Sequence, residues 1–166
     1  MILVSDTSVL IDLERGGFLY VVFALPFAFA VPDVLYHQEM RGEWGERLLS
    51  LGLRIEEVSG GGVRNAMAYR RQQPKLSVPD AFALALAKER QCPLLSGDGD
   101  LRELAALELV ECHGVLWLLD QIEHGGITSL QLLHDGLSAL AGHKRCRLPR
   151  REITVRLDRY SLALGR

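Results

Sequence analysis

Met1-Ile2-Leu3-Val4-Ser5-Asp6-Thr7-Ser8 opens the chain, and its reading decides the fold. Three successive apolar residues, Ile2 to Val4, predict a short strand buried on both faces. The polar run Ser5-Asp6-Thr7-Ser8 stops that strand and offers short oxygen-bearing side chains to the free N–H groups of a following helix. Val9 to Glu14 continue as helix, and Gly16-Gly17 end it. A buried strand running directly into a helix is the first half of a crossover unit, so the chain starts as an α/β protein.

Working outward, the same alternation recurs. Phe27 to Val31 predict a second strand, closed by Pro32. Pro32-Asp33 start a helix over Val34 to Met40, Gly42 breaks it, and Trp44 to Leu51 resume it. Leu53 to Val58 read as a strand and Gly60-Gly61-Gly62 as a flexible turn. Val63 to Gln73 are helical up to Pro74. Ser77-Val78-Pro79-Asp80 start an Ala-rich helix running to Arg90. Pro93 to Ser96 form a brief strand, Leu101 to Ala106 a helix, Leu109 to Glu111 a strand and Val115 to Ile122 a helix. Strands alternating with helices predict a three-layer α/β/α fold around a short-stranded parallel sheet. After Gly125-Gly126 the pattern changes to two helices, Ser129 to Leu140 and Arg150 to Leu162. The expected division is a domain over 1–124 and a C-terminal helical appendage of the same domain over 125–166.

Composition narrows the function classes. The chain has 166 residues, 48% hydrophobic and 24% charged, which suits one packed domain and excludes a disordered chain. The net charge of −2 gives no global attraction to nucleic acid. The segment after His143 is nevertheless cationic, with Lys144, Arg145, Arg147, Arg150, Arg151, Arg156, Arg159 and Arg166 against Glu152 and Asp158. Such a segment can hold phosphates, or form a solvated helix face and partner-binding arm. Cys92, Cys112 and Cys146 are odd in number and lack zinc-site spacing, which predicts a reducing compartment. The run Phe18 to Val31 contains Pro26 and is too short to span a bilayer. These features predict a cytoplasmic protein with no membrane partner.

Four acids stand where a divalent metal would collect them: Asp6, Glu39, Asp80 and Asp98. In parallel sheets ligands gather beyond the carboxyl ends of the strands, and Asp6 and Asp98 each follow such an end. Each acid also has a structural role open to it. Asp6 and Asp98 can cap helices, Glu39 can be a solvated helix residue, and Asp80 can complement a helix dipole. Converging carboxylates repel one another unless a hard cation sits between them.

The ordered set is more specific than its members. Asp6-Thr7-Ser8 after a strand, Glu39 on a helix behind Val31-Pro32, Asp80 opening an Ala-rich helix, and Leu94-Leu95-Ser96-Gly97-Asp98 closing a strand together resemble the PIN domain, the ribonuclease fold of VapC-type toxins. The resemblance covers Met1 to Leu119. Ser96 replaces the family's usual Thr and keeps the hydroxyl. His113-Gly114-Val115-Leu116-Trp117-Leu118-Leu119 also resembles a subgroup of predicted nucleic-acid-binding PIN proteins.

That resemblance implies a Mg2+- or Mn2+-dependent endoribonuclease that cuts single-stranded RNA and leaves a 5′-phosphate. Asp6 and Asp98 are expected to bind metal directly. Glu39 and Asp80 would act through water, on a second ion, or on the attacking water. Thr7, Ser8, Ser96 and Asp100 are expected to support them. Arg102 and Arg41 are candidates for substrate binding, with Arg64, Arg70, Arg71 and Lys75 behind them, and Tyr69 and Trp44 could stack on bases or pack in the core. The five histidines are scattered and are not expected to take part. The resemblance further implies a toxin of a type II toxin–antitoxin pair, a small antitoxin partner, and a homodimer. Phe18 to Phe23 and the helix of Trp117 would supply surfaces for these partners or belong to the core. A rival reading is a catalytically inactive PIN-fold RNA-binding or scaffolding protein. A phosphatase is disfavoured because the Asp6 corner lacks an Asp-x-Asp pair.

Overall fold

In the computed structural model, which describes residues 1–166, five parallel strands form one sheet. They are β1 (Ile2–Ser5), β2 (Ala28–Pro32), β3 (Arg54–Glu56), β4 (Leu94–Leu95) and β5 (Cys112–His113), in the order β3-β2-β1-β4-β5. The helices are α1 (Thr7–Arg15), α2 (Leu19–Val22), α3 (Asp33–Leu35), α4 (Glu43–Leu51), α5 (Gly60–Gln72), α6 (Val78–Arg90), α7 (Gly99–Leu107), α8 (Val115–Gly125), α9 (Leu130–Gly142) and α10 (Arg150–Ala163). A π-helical turn, Tyr36–Met40, continues α3. The architecture is the three-layer α/β/α arrangement expected from the alternation.

The sheet places the site. Val4 pairs with Leu94 and Ser5 with Leu95, so β1 and β4 end side by side. The chain builds β2 and β3 on one side of β1 and β4 and β5 on the other. That reversal leaves a crevice beyond the carboxyl ends of β1 and β4. Leu3, Val4, Phe29, Val31, Leu94 and Leu95 are essentially fully buried, as a sheet covered by helices requires. Helix α6 packs on β1, β2 and β4 and also against α5. Ala81 through Ala87 are all buried, so this helix is apolar all round because it is covered all round.

Two expected elements are corrected. The last strand is Cys112–His113, not Leu109 to Glu111. Leu109 instead lies in a left-handed turn at φ 59 with 93% of its surface exposed, and the Val110 N–H closes α7 on the Ala105 carbonyl. Gly60-Gly61-Gly62 form the first turn of α5 and not a loop. Ser59 caps that turn by accepting from the Gly62 N–H at 3.1 Å, and the glycine at 62 is required because a Cβ there would meet Val58 at 2.1 Å.

Leu133, Leu137, Leu140, Ile153 and Tyr160 of the last two helices belong to the same buried cluster as the sheet residues. Helix α9 lies against α1 and α8. A Cβ at Gly136 would meet the Phe18 ring at 2.4 Å and the Gly16 carbonyl at 2.5 Å, so this glycine sets the approach. Helix α10 is clamped to α8 by two arginines. Arg156 donates from Nε and Nη2 to both oxygens of Asp120 at 2.8 and 2.6 Å, and Arg159 does the same to Glu123 at 3.0 and 2.5 Å. These two cations of the basic tail are therefore committed to ion pairs and do not offer themselves to phosphates. No helix is long and apolar enough to cross a membrane.

Candidate active site

Asp6 follows β1 directly, and its N–H donates to the Leu95 carbonyl at 3.0 Å, extending the β1–β4 ladder by one bond. Its carboxylate is 2% exposed. Oδ1 accepts from the Val9 N–H and from Ser8 Oγ, each at 2.9 Å, so Asp6 is the N-cap of α1. Burial pushes its carboxyl above the ordinary value, the nearby Ser96 hydroxyl and the bonds from the Val9 N–H and Ser8 oppose that rise, and the charge of Asp98 adds to it.

Across the crevice, fully buried Ser96 sits between two of the acids. Its hydroxyl accepts from the Asp98 N–H at 3.1 Å and lies near enough to the Asp6 carboxylate to favour its ionised form. Asp98 caps α7 through Oδ1, which accepts from the Leu101 N–H at 2.8 Å. Both strand-end acids therefore perform the capping role open to them, and the caps hold the carboxylates in fixed orientations. The two remaining acids arrive from helices. Thr7 Oγ1 donates to Glu39 Oε2 at 2.5 Å, tying the exposed π-helical turn to the residue next to Asp6. Gly45 lets α4 approach that turn, because a Cβ there would meet the Met40 carbonyl at 2.2 Å. Asp80 lies in the first turn of α6, capped by Ser77, whose Oγ accepts from the Asp80 N–H at 3.2 Å. Its carboxyl is pushed up to about 6, first by burial and then by the negative charges of Asp6, Glu39 and Asp98. Asp80 thus feels all three other acids, and the four sequence-distant carboxylates share one electrostatic neighbourhood.

No three His, Cys, Asp or Glu side chains are set as a ready coordination cage. The donor set nevertheless fits a hard, hydrated dication. It is all oxygen, it carries uncompensated negative charge, and magnesium keeps several waters while taking only one or two carboxylates. The supporting residues divide. Thr7, Ser8 and Ser96 contact site acids. Asp100 is exposed in the first turn of α7 and is not among the charges acting on Asp6 or Asp80. Arg102 is exposed and its Nη1 donates to the Ser96 carbonyl at 3.0 Å, while Arg41 is exposed just past the π-helical turn.

Two aromatic expectations resolve differently. Tyr69 is 2% exposed with its hydroxyl buried and unpartnered, so it cannot stack on a base, and Trp44 is half-buried against the core. Of Phe18 to Phe23, only Tyr20 is well exposed, at 71%. Trp117 stacks with Phe27 and with His113. One feature had no signal in local sequence. A cleft of about 850 Å³ adjoins the site, lined by Ser8 and Asp98, by Asp12 and Arg15 of α1, and by the α9–α10 loop.

The solved structures similar to this one include a PilT N-terminus domain protein from the hyperthermophilic archaeon Sulfolobus solfataricus P2. It aligns with a TM-score of 0.52 and 16% identity, over 74% of this chain and 93% of that one. A toxin-antitoxin complex from Klebsiella pneumoniae aligns at a TM-score of 0.40 and 24% identity, over 58% of this chain and 86% of that one. No curated protein matches the sequence. A family model described as a PIN domain matches residues 2–161. PIN domains are in general nucleases that use divalent metals. With its five-stranded parallel sheet and its strand-end acids, this chain belongs to the PIN domain family.

Proposed function

We propose that this protein is a Mg2+- or Mn2+-dependent endoribonuclease that hydrolyses phosphodiester bonds of single-stranded RNA. The observation that carries this reading is the convergence of four acids from four separate segments. Asp6 and Asp98 flank the Ser96 hydroxyl, Glu39 is tied to Thr7, and Asp80 lies within electrostatic reach of the other three. A fold that only needed stability would not gather like charges in one crevice, because each raises the cost of ionising the next.

Asp6 and Asp98 are the residues that would hold the ion, each with one oxygen fixed by a helix cap. A bound divalent ion supplies Lewis-acid stabilisation to the scissile phosphate and a water of lowered pKa. Glu39 and Asp80 orient water at the rim of the site. Ser8 and Thr7 hold the Asp6 and Glu39 carboxylates in place, and Ser96 supports Asp6 from the end of β4. Residues 1–124 form the nuclease unit and 125–166 its helical appendage.

The motif resemblance supports a cellular role as the toxin of a type II pair, acting in the cytoplasm as a homodimer restrained by a small antitoxin. Cleavage of end-labelled single-stranded RNA in Mg2+ or Mn2+ tests the enzymatic reading. The wild type should cut, EDTA should stop it, and Asp6→Ala and Asp98→Ala should each lose activity. Tight RNA binding with no cleavage at any metal concentration would replace it with the inactive binding module.

A further inference from the structure

We propose that the α9–α10 loop, Lys144-Arg145-Cys146-Arg147, is the phosphate clamp of this site, holding the backbone of a single-stranded nucleic acid in the cleft beside Asp98. The proposal rests on the nuclease reading for its substrate. It stands on three observations of its own.

The first is location. The loop, Ser8 and Asp98 all line one cleft. A strand whose phosphate lies at the acids therefore shares its cleft with the loop's cations. The second is availability. Arg156 and Arg159 are consumed by Asp120, Glu123 and Glu152. Lys144, Arg145 and Arg147 are exposed and make no ion pair, although carboxylates are present in the same cleft. Three uncompensated cations on one short loop make a local positive potential on a chain whose net charge is −2. The loop is also shaped rather than slack, since the Cys146 N–H donates to the His143 carbonyl at 3.0 Å and the Arg145 N–H to His143 Nδ1 at 3.1 Å. The third is size. About 850 Å³ is comparable to a large small-molecule pocket, which suits a short run of nucleotides and not a duplex. An acidic peptide would meet the same cations, but Asp98 lines the same cleft and repels it. A polyphosphate strand offers phosphates to the loop and places its ion-neutralised one at the acids.

The test is binding of a fluorescently labelled single-stranded RNA to the full chain at a fixed concentration of Ca2+, an oxygen-seeking dication used in place of Mg2+ or Mn2+, followed by anisotropy across a salt series. Each phosphate contact contributes a slope of about −0.7 in log K against log salt for single strands, so three contacts are worth on the order of 100-fold at 0.1 M salt. Lys144→Gln, Arg145→Gln and Arg147→Gln combined should weaken binding by about that factor and flatten the slope by about 2, with an unchanged melting temperature. Lys144→Arg, Arg145→Lys and Arg147→Lys combined should restore both. Wild-type cleavage in Mn2+ is scored in parallel. If the wild type cuts RNA and the Gln variant binds with unchanged affinity and slope, the clamp is refuted and the nuclease stands. If the wild type does not cut but binding still depends on the loop, the clamp stands and the nuclease reading falls. A preference for an acidic peptide or for duplex of the same sequence would overturn the clamp as stated.

Discussion

Asp80 is expected to make the ion-free protein less stable, and removing its charge should stabilise it. In the unfolded chain this carboxyl has its ordinary value of 3.8, and in the fold it is pushed up to about 6 by burial and by Asp6, Glu39 and Asp98. A raised carboxyl binds its proton more tightly in the folded state. Stability from this group therefore falls as pH rises between 3.8 and about 6, and the full cost is present above that window. The displacement from 3.8 to about 6 corresponds to about 3 kcal/mol. Partial exposure and solvent screening reduce it to about 2 kcal/mol. Asp80→Asn removes that cost at pH 8 but also removes a carboxylate from the first turn of α6, which is worth about 0.3–1 kcal/mol. The net gain at pH 8 is about 1 kcal/mol, or about 2–4 °C in melting temperature for a domain of this size. At pH 4 the folded carboxyl is already protonated, and the gain should vanish or reverse. Thermal unfolding of both proteins in EDTA at pH 4 and pH 8 measures this difference. A variant less stable than wild type at pH 8 by the same margin as at pH 4 would refute the electrostatic reasoning.

Other expectations follow from single contacts. Thr7→Val removes the 2.5 Å bond to Glu39. A hydrogen bond to a charged group is worth about 1.5–3 kcal/mol, so the melting temperature should fall by roughly 3–10 °C, and metal-dependent cleavage at a temperature where the variant is folded should fall at least about tenfold as Glu39 is released. Gly45→Ala drives a methyl group into the Met40 carbonyl behind the π-helical turn. It should cost about 1–3 kcal/mol in urea unfolding and lower cleavage by displacing Glu39. Arg156→Ala strips Asp120 of its two-pronged partner, with the arginine side chain only 13% exposed. It should destabilise the protein by about 1.5–3 kcal/mol, and an unchanged denaturation midpoint would show that α10 is not held by that clamp.

Much of the fold was legible because its signals are local. Ile2 to Val4 and Leu94-Leu95 are apolar runs with capping residues directly behind them, and strands β1 and β4 stand where those runs predict. Strand β5 was misplaced because Leu109-Val110-Glu111 imitates a strand, while the real one has two residues and no pattern to read. The glycine triplet misled for a related reason. Its helical role depends on Ser59 and on the close approach of Val58, neither of which is a property of glycine alone.

At the site, the order of the acids in the sequence pointed to Asp6, Glu39, Asp80 and Asp98 as a set. What sequence could not show was their unequal surroundings: Asp6 nearly sealed, Asp80 half-buried, Glu39 and Asp98 open to solvent. The π-helical turn under Glu39 has no local signature in Tyr36-His37-Gln38-Glu39-Met40. The cationic tail was visible as composition. Its division into committed arginines and a free loop depends on Asp120 and Glu123, which lie 36 residues from their partners.

The central claim is that the four acids act together as one cation site. Calorimetric titration of Mn2+ into wild type, Asp6→Asn and Asp98→Asn tests it most directly. A saturable site in the wild type, lost or strongly weakened in both variants, is the predicted result. Equal Mn2+ binding in all three proteins, or none in the wild type, would contradict it.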